Sequence, residues 1–427
     1  MGDKGDRGRG DPERYRYLDV LRGVAVFGIL PVNIAFFGLP AAEAQDGPDA
    51  GGFLECLVEH GTEALCHYRF LSIFAFLFGI GIVIIRERCA SRGLPFGEVM
   101  VRRLIALLTF GALHVLLLWY GDILFFYALA GLVLFSCSGC KPRTLWTAGA
   151  ILVLLPILLF GVAVAAPELV VAAGAEHVGV CEEALREEMT GAATGSTEQF
   201  LAALPERHPA FETAVFRDGS FARQIVLRLV MWGMHLALLG LFLGSWIAGL
   251  MLIGMASAKS RWILRPEQHR GRFLRLTRWG LGVGLPLQCS GTWLRLQAEL
   301  SARMELLGEL FRFSASLGIA AAYVGLLGLL CARRQLPAWT TRVAAVGRTA
   351  LSNYILQSLL CTILFYPWGF GLFGSLDRRA LLGVVIAVWI LELAITSLWL
   401  GFFHTGPLEG LWRWMTYGPR AESARGH

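Results

Sequence analysis

The chain has 427 residues, 56% of them hydrophobic and only 16% charged, and its mean hydropathy is +0.58. No water-soluble domain of this length needs so apolar a composition to fill its core, so the chain reads as an all-α, polytopic membrane protein. The net charge of +6 is mostly a topological bias and is not read as nucleic-acid binding.

Residues 1–17, beginning MGDKGDRGRGDP, are too polar to pack and read as a disordered cytoplasmic tail. The first apolar run lacks an A-x-A-like end, so it reads as a retained span rather than a cleaved signal. Runs of the length that crosses about 30 Å of hydrocarbon fall near 18–39, 67–85, 104–119, 121–136, 145–166, 226–256, 276–295, 312–331, 346–366 and 380–403. About ten transmembrane helices are therefore expected in a single domain over 18–403, with an extracytoplasmic loop at 167–224 and a cytoplasmic tail at 404–427. The run at 226–256 is long enough to tilt or to continue beyond the bilayer, and 276–295 is the least apolar.

Basic residues set the orientation. With the N-terminus inside, the cytoplasmic segments collect Arg14 and Arg16, then Arg86, Arg88, Arg92, Arg102 and Arg103, and seven basic residues from Lys259 to Arg278. Segment 40–64 has no Lys or Arg and carries Glu43, Glu55, Glu59 and Glu63. Both termini are thus expected in the cytoplasm. The nine cysteines are scattered. Cys137 and Cys140 form a CSGC without the thioredoxin-like context of a redox motif, whereas Cys56 and Cys66 are expected close together outside, where a disulfide is chemically possible.

Polar residues inside such spans are costly and mark candidate sites. His114 precedes the turn Trp119-Tyr120-Gly121 and Asp122 follows it, so the two are expected at similar depth, facing each other across a hairpin. Asp122 is also placed to cap the returning helix. Asn33 in the first span and Arg69 at the start of the second stand at comparable depth, so the four can converge on one outer pocket; snorkelling is the plainer reading of Arg69. Asn353 and Gln357 are four residues apart and share a helix face, which either packs on a neighbour or lines a substrate pocket. Glu409 and Arg413 are spaced for an intrahelical salt bridge.

Five segments, LDVLRGVAVFGILPVNI, RFLSIFAFLFGIG, RRLIALLTFGALHVLLLWYGDILFFYALAGL, GRTALSNYILQS and GPLEGLWRWMTYG, resemble in order and spacing the YeiB family of bacterial membrane proteins, a domain of unknown function. That family is grouped with transmembrane acyltransferases, among them the lysosomal heparan-α-glucosaminide N-acetyltransferase. The resemblance implies a helical core that takes an acyl group from cytoplasmic acyl-CoA and passes it to an acceptor across the membrane. In the lysosomal enzyme a similar motif opens the first span, with its asparagine at Asn33, and His60 is the nearest counterpart of that enzyme's catalytic histidine.

Acyl transfer from a thioester needs a base for the acceptor and a donor to the developing oxyanion. His114 oriented by Asp122 fits the first requirement, with Asn33 or Arg69 as the oxyanion donor. No serine nucleophile is evident near them, so direct transfer and a transient acyl-imidazole both stay open. Arg22, Arg102 and Arg103 suit the phosphates of the donor, although positive-inside topology alone also explains them. No Gly-rich phosphate loop occurs, which argues against an ATP-driven pump, and no metal is expected. The acceptor is a glycan, lipid or small molecule, and the oligomeric state is open. A transporter or flippase using the same polar groups, and a non-catalytic envelope-assembly protein, are the alternatives.

Overall fold

A computed structural model describes residues 15–45, 52–165, 182–204, 208–297 and 301–418, and the described residues form helices without strands. In chain order these are α1 (Arg16–Gly38), α2 (Ala41–Gln45), α3 (Phe53–Cys66), α4 (Arg69–Ser91), α5 (Phe96–Leu117), α6 (Leu124–Leu134), α7 (Pro142–Ala165), α8 (Glu182–Thr194) and α9 (Thr197–Ala203). They continue with α10 (Pro209–Asp218), α11 (Phe221–Lys259), α12 (Arg270–Leu296), α13 (Ala302–Cys331), α14 (Trp339–Arg348), α15 (Ala350–Phe365), α16 (Arg378–Phe402) and α17 (Pro407–Tyr417).

Seven helical segments among the described residues are long and apolar enough to cross a membrane, and two shorter apolar helices cover Leu124–Gly139 and Ala350–Phe365. The expected span at 276–295 is helical within α12, but Arg278, Gln288 and Arg295 interrupt its apolar surface. It gains its place by packing: Gly280 and Gly284 lie against the backbone of Gly318 in α13, at a separation that leaves no room for a Cβ. α11 runs for 39 residues, about 58 Å, nearly twice the hydrocarbon thickness of about 30 Å.

One end of the bundle carries the described start of the chain and most of the arginines. There Arg16 donates to Thr341 (2.7 Å), the Tyr17 hydroxyl donates to the Val324 carbonyl (2.8 Å), and Lys259 donates to the Ser138 carbonyl (2.7 Å). The core of the bundle gathers Leu21, Ile73, Leu104, Trp246, Met251 and Phe313. A second apolar cluster sits at the opposite end, where Phe211, Val215 and Phe216 of α10 and Phe200 of α9 pack with Phe37, Trp119 and Tyr366. The stretch expected as a loop over 167–224 is thus a helical cap wherever it is described, because its apolar side chains fall at helical spacing. Residues 167–181 and 205–207 lie outside the described residues.

Other boundaries are corrected in the same way. α1 begins at Arg16, inside the stretch expected to be a tail, and residues 1–14 lie outside the described residues. The acidic segment 40–64 holds α2 and α3, and α3 is tied down by arginines: Arg379 lies 3.3 Å from Glu55, Arg378 lies 3.9 Å from Glu59, and Arg312 pairs with Glu63. Cys56 and Cys66 are free thiols at two ends of that one helix, roughly 15 Å apart along its axis, too far for the disulfide entertained from sequence. The expected tail at 404–427 contains α17, which packs back on α5 and α15.

Proline shapes the first helix. Pro31 lies inside α1 and has no N–H to give the Phe27 carbonyl one turn earlier. The indole of Trp389 in α16 donates to that carbonyl instead, at 3.1 Å. Trp389→Phe keeps the ring and removes the donor, leaving a part-buried carbonyl without that bond at a cost of about 1 kcal/mol. We expect a lower unfolding midpoint for this variant in detergent, and an unchanged midpoint would show that the carbonyl is satisfied elsewhere.

Candidate functional site

The turn between α5 and α6 brings His114 and Asp122 together. His114 sits in the last turn of α5, and Asp122 precedes α6 by two residues. Their side chains are fully buried, with Nδ1 of the imidazole 3.0 Å from Oδ2 of the carboxylate, an ion-pair approach not lined up as a hydrogen bond. The other carboxylate oxygen, Oδ1, accepts the Phe125 N–H at 2.7 Å. Pairing and capping, which the sequence offers as rival roles for Asp122, are both present, one on each oxygen.

Chain packing adds a third member. Nε2 of His114 lies 2.8 Å from Oγ of Ser358 on α15, 244 positions away in sequence. With Nδ1 protonated toward Asp122, Nε2 is the acceptor for the serine hydroxyl. Tyr354, one turn earlier on α15, brings its ring to 5.1 Å from the imidazole, and Trp119 approaches to 6.4 Å from another side. Buried Arg228 of α11 donates to the Leu116 carbonyl at 3.1 Å, meeting one of the carbonyls left over at the end of α5 and holding the turn in place.

Asn353 and Gln357 use the adjacent face of α15. Asn353 donates to Oγ1 of Thr349 (2.9 Å) and accepts from Thr396 of α16 (3.0 Å). Gln357 donates to the Val26 carbonyl of α1 (3.1 Å) and to Oε2 of Glu392 (2.9 Å). These amides cross-link helices, the packing role weighed for them above. Glu392, fully buried in α16, is a polar group that the sequence reading passed over.

Arg69, expected beside His114, and His60, singled out by the resemblance, have partners of their own. Arg69 is buried, but it donates to the Glu63 (2.7 Å) and His67 (2.5 Å) carbonyls and to Gln288 of α12. His60 lies 4.0 Å from the Glu63 carboxylate on the same helix. Arg69 and His60 therefore belong to a separate cluster organised by Glu63 and Arg312. Asn33 is half-buried on α1, and no hydrogen bond joins it to either group among the described residues.

At the basic end, Arg103 lies 3.5 Å over the ring of Trp412 in α17, and the indole N–H of Trp412 donates to the Arg103 carbonyl at 2.8 Å. The charges of Arg22, Arg413 and Arg88 all act on Arg103, so four guanidinium groups gather there. Arg22 also contacts Asp19 (3.2 Å) and the Gly347 carbonyl (3.3 Å). Arg102 points away and is exposed, 3.9 Å from Glu98. Glu409 does not act chiefly through an intrahelical bridge: its carboxylate accepts the Leu351 N–H (2.8 Å) and the Ser352 hydroxyl (2.5 Å), capping α15. Beside this group a cleft of about 340 Å³ is lined by Arg86, Phe96, Phe135, Ser136 and Ser138.

Apolar side chains on the outer faces of α7 and α16, such as Ile151, Leu158, Val162, Ile390, Leu398 and Phe402, are exposed, as lipid contact requires. Together with the buried polar chain His114–Asp122–Ser358, this defines a polytopic α-helical membrane protein with a polar site in its interior. Residues 257–419 match the family described as "Protein of unknown function (DUF418)". The chain is 32% identical over 423 residues to "Uncharacterized protein YxaH" of Bacillus subtilis (strain 168), covering 95% of this chain and 94% of that one. It is 31% identical over 418 residues to "Uncharacterized protein YeiB" of Escherichia coli (strain K12), covering 95% and 96%. The chain belongs to this YeiB-like DUF418 family. No solved structure matches it.

Gly111 of α5 holds the site closed. A Cβ added there would lie 2.5 Å from the Phe125 nitrogen and 2.8 Å from Oδ1 of Asp122, inside any real contact distance. Gly111→Val is expected to force Asp122 away from His114 and to destabilise the protein by about 1–3 kcal/mol. Thermal unfolding in detergent checks this, and a variant as stable as the parent would show that the turn gives way freely.

Proposed function

We propose that the protein is a transmembrane acyltransferase of the bacterial inner membrane, moving an acyl group from cytoplasmic acyl-CoA to a glycan, lipid or small-molecule acceptor reached from the opposite end of the bundle. The observation that carries this reading is the buried His114 imidazole, held by a carboxylate on one nitrogen and facing a hydroxyl on the other. That is the arrangement a general base needs in order to take a proton from an attacking hydroxyl or amine and return it to a leaving group. Asp122 orients the ring and stabilises the imidazolium that forms.

The donor's phosphates bind at the basic end, where Arg22, Arg88, Arg103 and Arg413 gather and where guanidinium geometry suits phosphate. Arg103 and His114 are eleven residues apart on α5, roughly 16 Å along one helix, a span for the pantetheine arm to bridge. A transporter reading draws on Glu392, whose Oε1 has no hydrogen-bond partner. That group, however, lies on the α16 side of α15 and explains neither the imidazole nor the arginines.

The purified full chain, incubated with acetyl-CoA, is expected to bind it and to release free CoA. His114→Ala should lower turnover by about 10²–10⁴-fold with binding retained, and Arg103→Ala should raise KM while leaving kcat nearly unchanged. Absence of both binding and turnover in the parent protein would overturn the acyltransferase reading.

A further inference from the structure

We propose that Ser358 is a nucleophile and that the protein works through a covalent acyl-serine. The donor in this scheme rests on the acyl-transfer reading above; the reactivity of the serine does not.

Ser358 differs from Ser72, Ser257 and Ser260, and from Ser352, whose hydroxyl is taken by Glu409, in facing an imidazole. Ser72, Ser257 and Ser260 each donate to the carbonyl four residues earlier at 2.7–2.8 Å, the ordinary way a helix serine satisfies its hydroxyl. Ser358 stands 3.3 Å from the equivalent Tyr354 carbonyl and 2.8 Å from Nε2 of His114. A hydroxyl has one proton to give, and the shorter path leads to the imidazole. The order Ser358 Oγ, His114 Nε2, His114 Nδ1, Asp122 Oδ2 runs through three parts of the chain: α15, the end of α5 and the turn before α6. Asp122 is fixed by the Phe125 N–H, the end of α5 by Arg228, and the start of α15 by Glu409. Each reacting group is thus anchored from outside the triad, as a preorganised nucleophile requires.

In the first half-reaction Oγ bonds to the thioester carbonyl carbon while its proton passes to Nε2. The C–S bond then breaks, and the same proton goes to the departing CoA sulfur. In the second half the acceptor hydroxyl or amine bonds to the acyl carbon and gives its proton to Nε2; the C–Oγ bond breaks and Oγ takes that proton back. Ser358, His114 and Asp122 are all buried here. The closed arrangement shields the ester from water.

Two probes of the full chain in detergent test this. A fluorophosphonate reagent is expected to label the parent at Ser358, identified by peptide mass, with labelling lost in Ser358→Ala and reduced at least tenfold in His114→Ala. Acetyl-CoA is expected to leave an acetyl group on the same residue. Ser358→Cys keeps a nucleophile of similar size, so it should form a thioester, cleaved by neutral hydroxylamine, and its melting temperature guards against a folding artefact. Absence of fluorophosphonate labelling at Ser358 in folded parent protein overturns the proposal, as does an acetyl adduct found on His114 instead. Labelling of Ser358 by the fluorophosphonate without any acetyl adduct supports the nucleophile and overturns only the choice of donor.

Discussion

A polar group that leaves water for hydrocarbon must find its partners within the protein, and α15 is where this chain meets that demand most densely. The helix carries Asn353, Gln357, Ser358 and Thr362, all buried, on a span of 16 residues. Its two polar faces tie it to α1, α16 and the α5–α6 turn, and its exposed N-terminal N–H groups are closed by Glu409 from α17. Each of these bonds is worth little in water, where solvent competes. In lipid the alternative to each is an unmet polar group, so together they fix where α15 stands, and with it Ser358.

How much of this was readable in advance depended on separation along the chain. The apolar runs announced the helices because a bilayer imposes a length that composition alone reveals. His114 and Asp122 could be paired because they are only eight positions and one turn apart, so local geometry decides their distance. Ser358 was hidden for the opposite reason: an isolated serine in SNYILQSLL looks like any helix serine, and only the packing of α15 on α5 brings it to the imidazole. Glu392 was hidden inside the apolar run VWILELAITS. Arg69 was grouped with His114 on depth, but its guanidinium is taken up by the Glu63 and His67 carbonyls and by Gln288.

The two ends of the molecule solve different electrostatic problems. Around Glu63 and along α3, arginines from α4, α13 and α16 face carboxylates or carbonyl groups at close range, which makes that region a structural clamp. At the basic end the charges of Arg22, Arg88 and Arg413 act on Arg103, which stacks on the aromatic face of Trp412. Like charges gathered in this way raise the local potential and attract an anion. The contrast, carboxylates bound by arginines at one end and a gathering of guanidinium groups at the other, gives the bundle a polarity that matches its proposed direction of transfer.

The position of α15 in the chain also bears on biogenesis. Its partners Glu392, Thr396 and Glu409 are all synthesised after it, so on leaving the ribosome the segment is short, carries polar side chains without these partners and lacks its cap, a poor candidate for stable insertion alone. It is completed only when α16 and α17 arrive. Residues made after α15 therefore supply the bonds that hold the helix carrying Ser358 in its place.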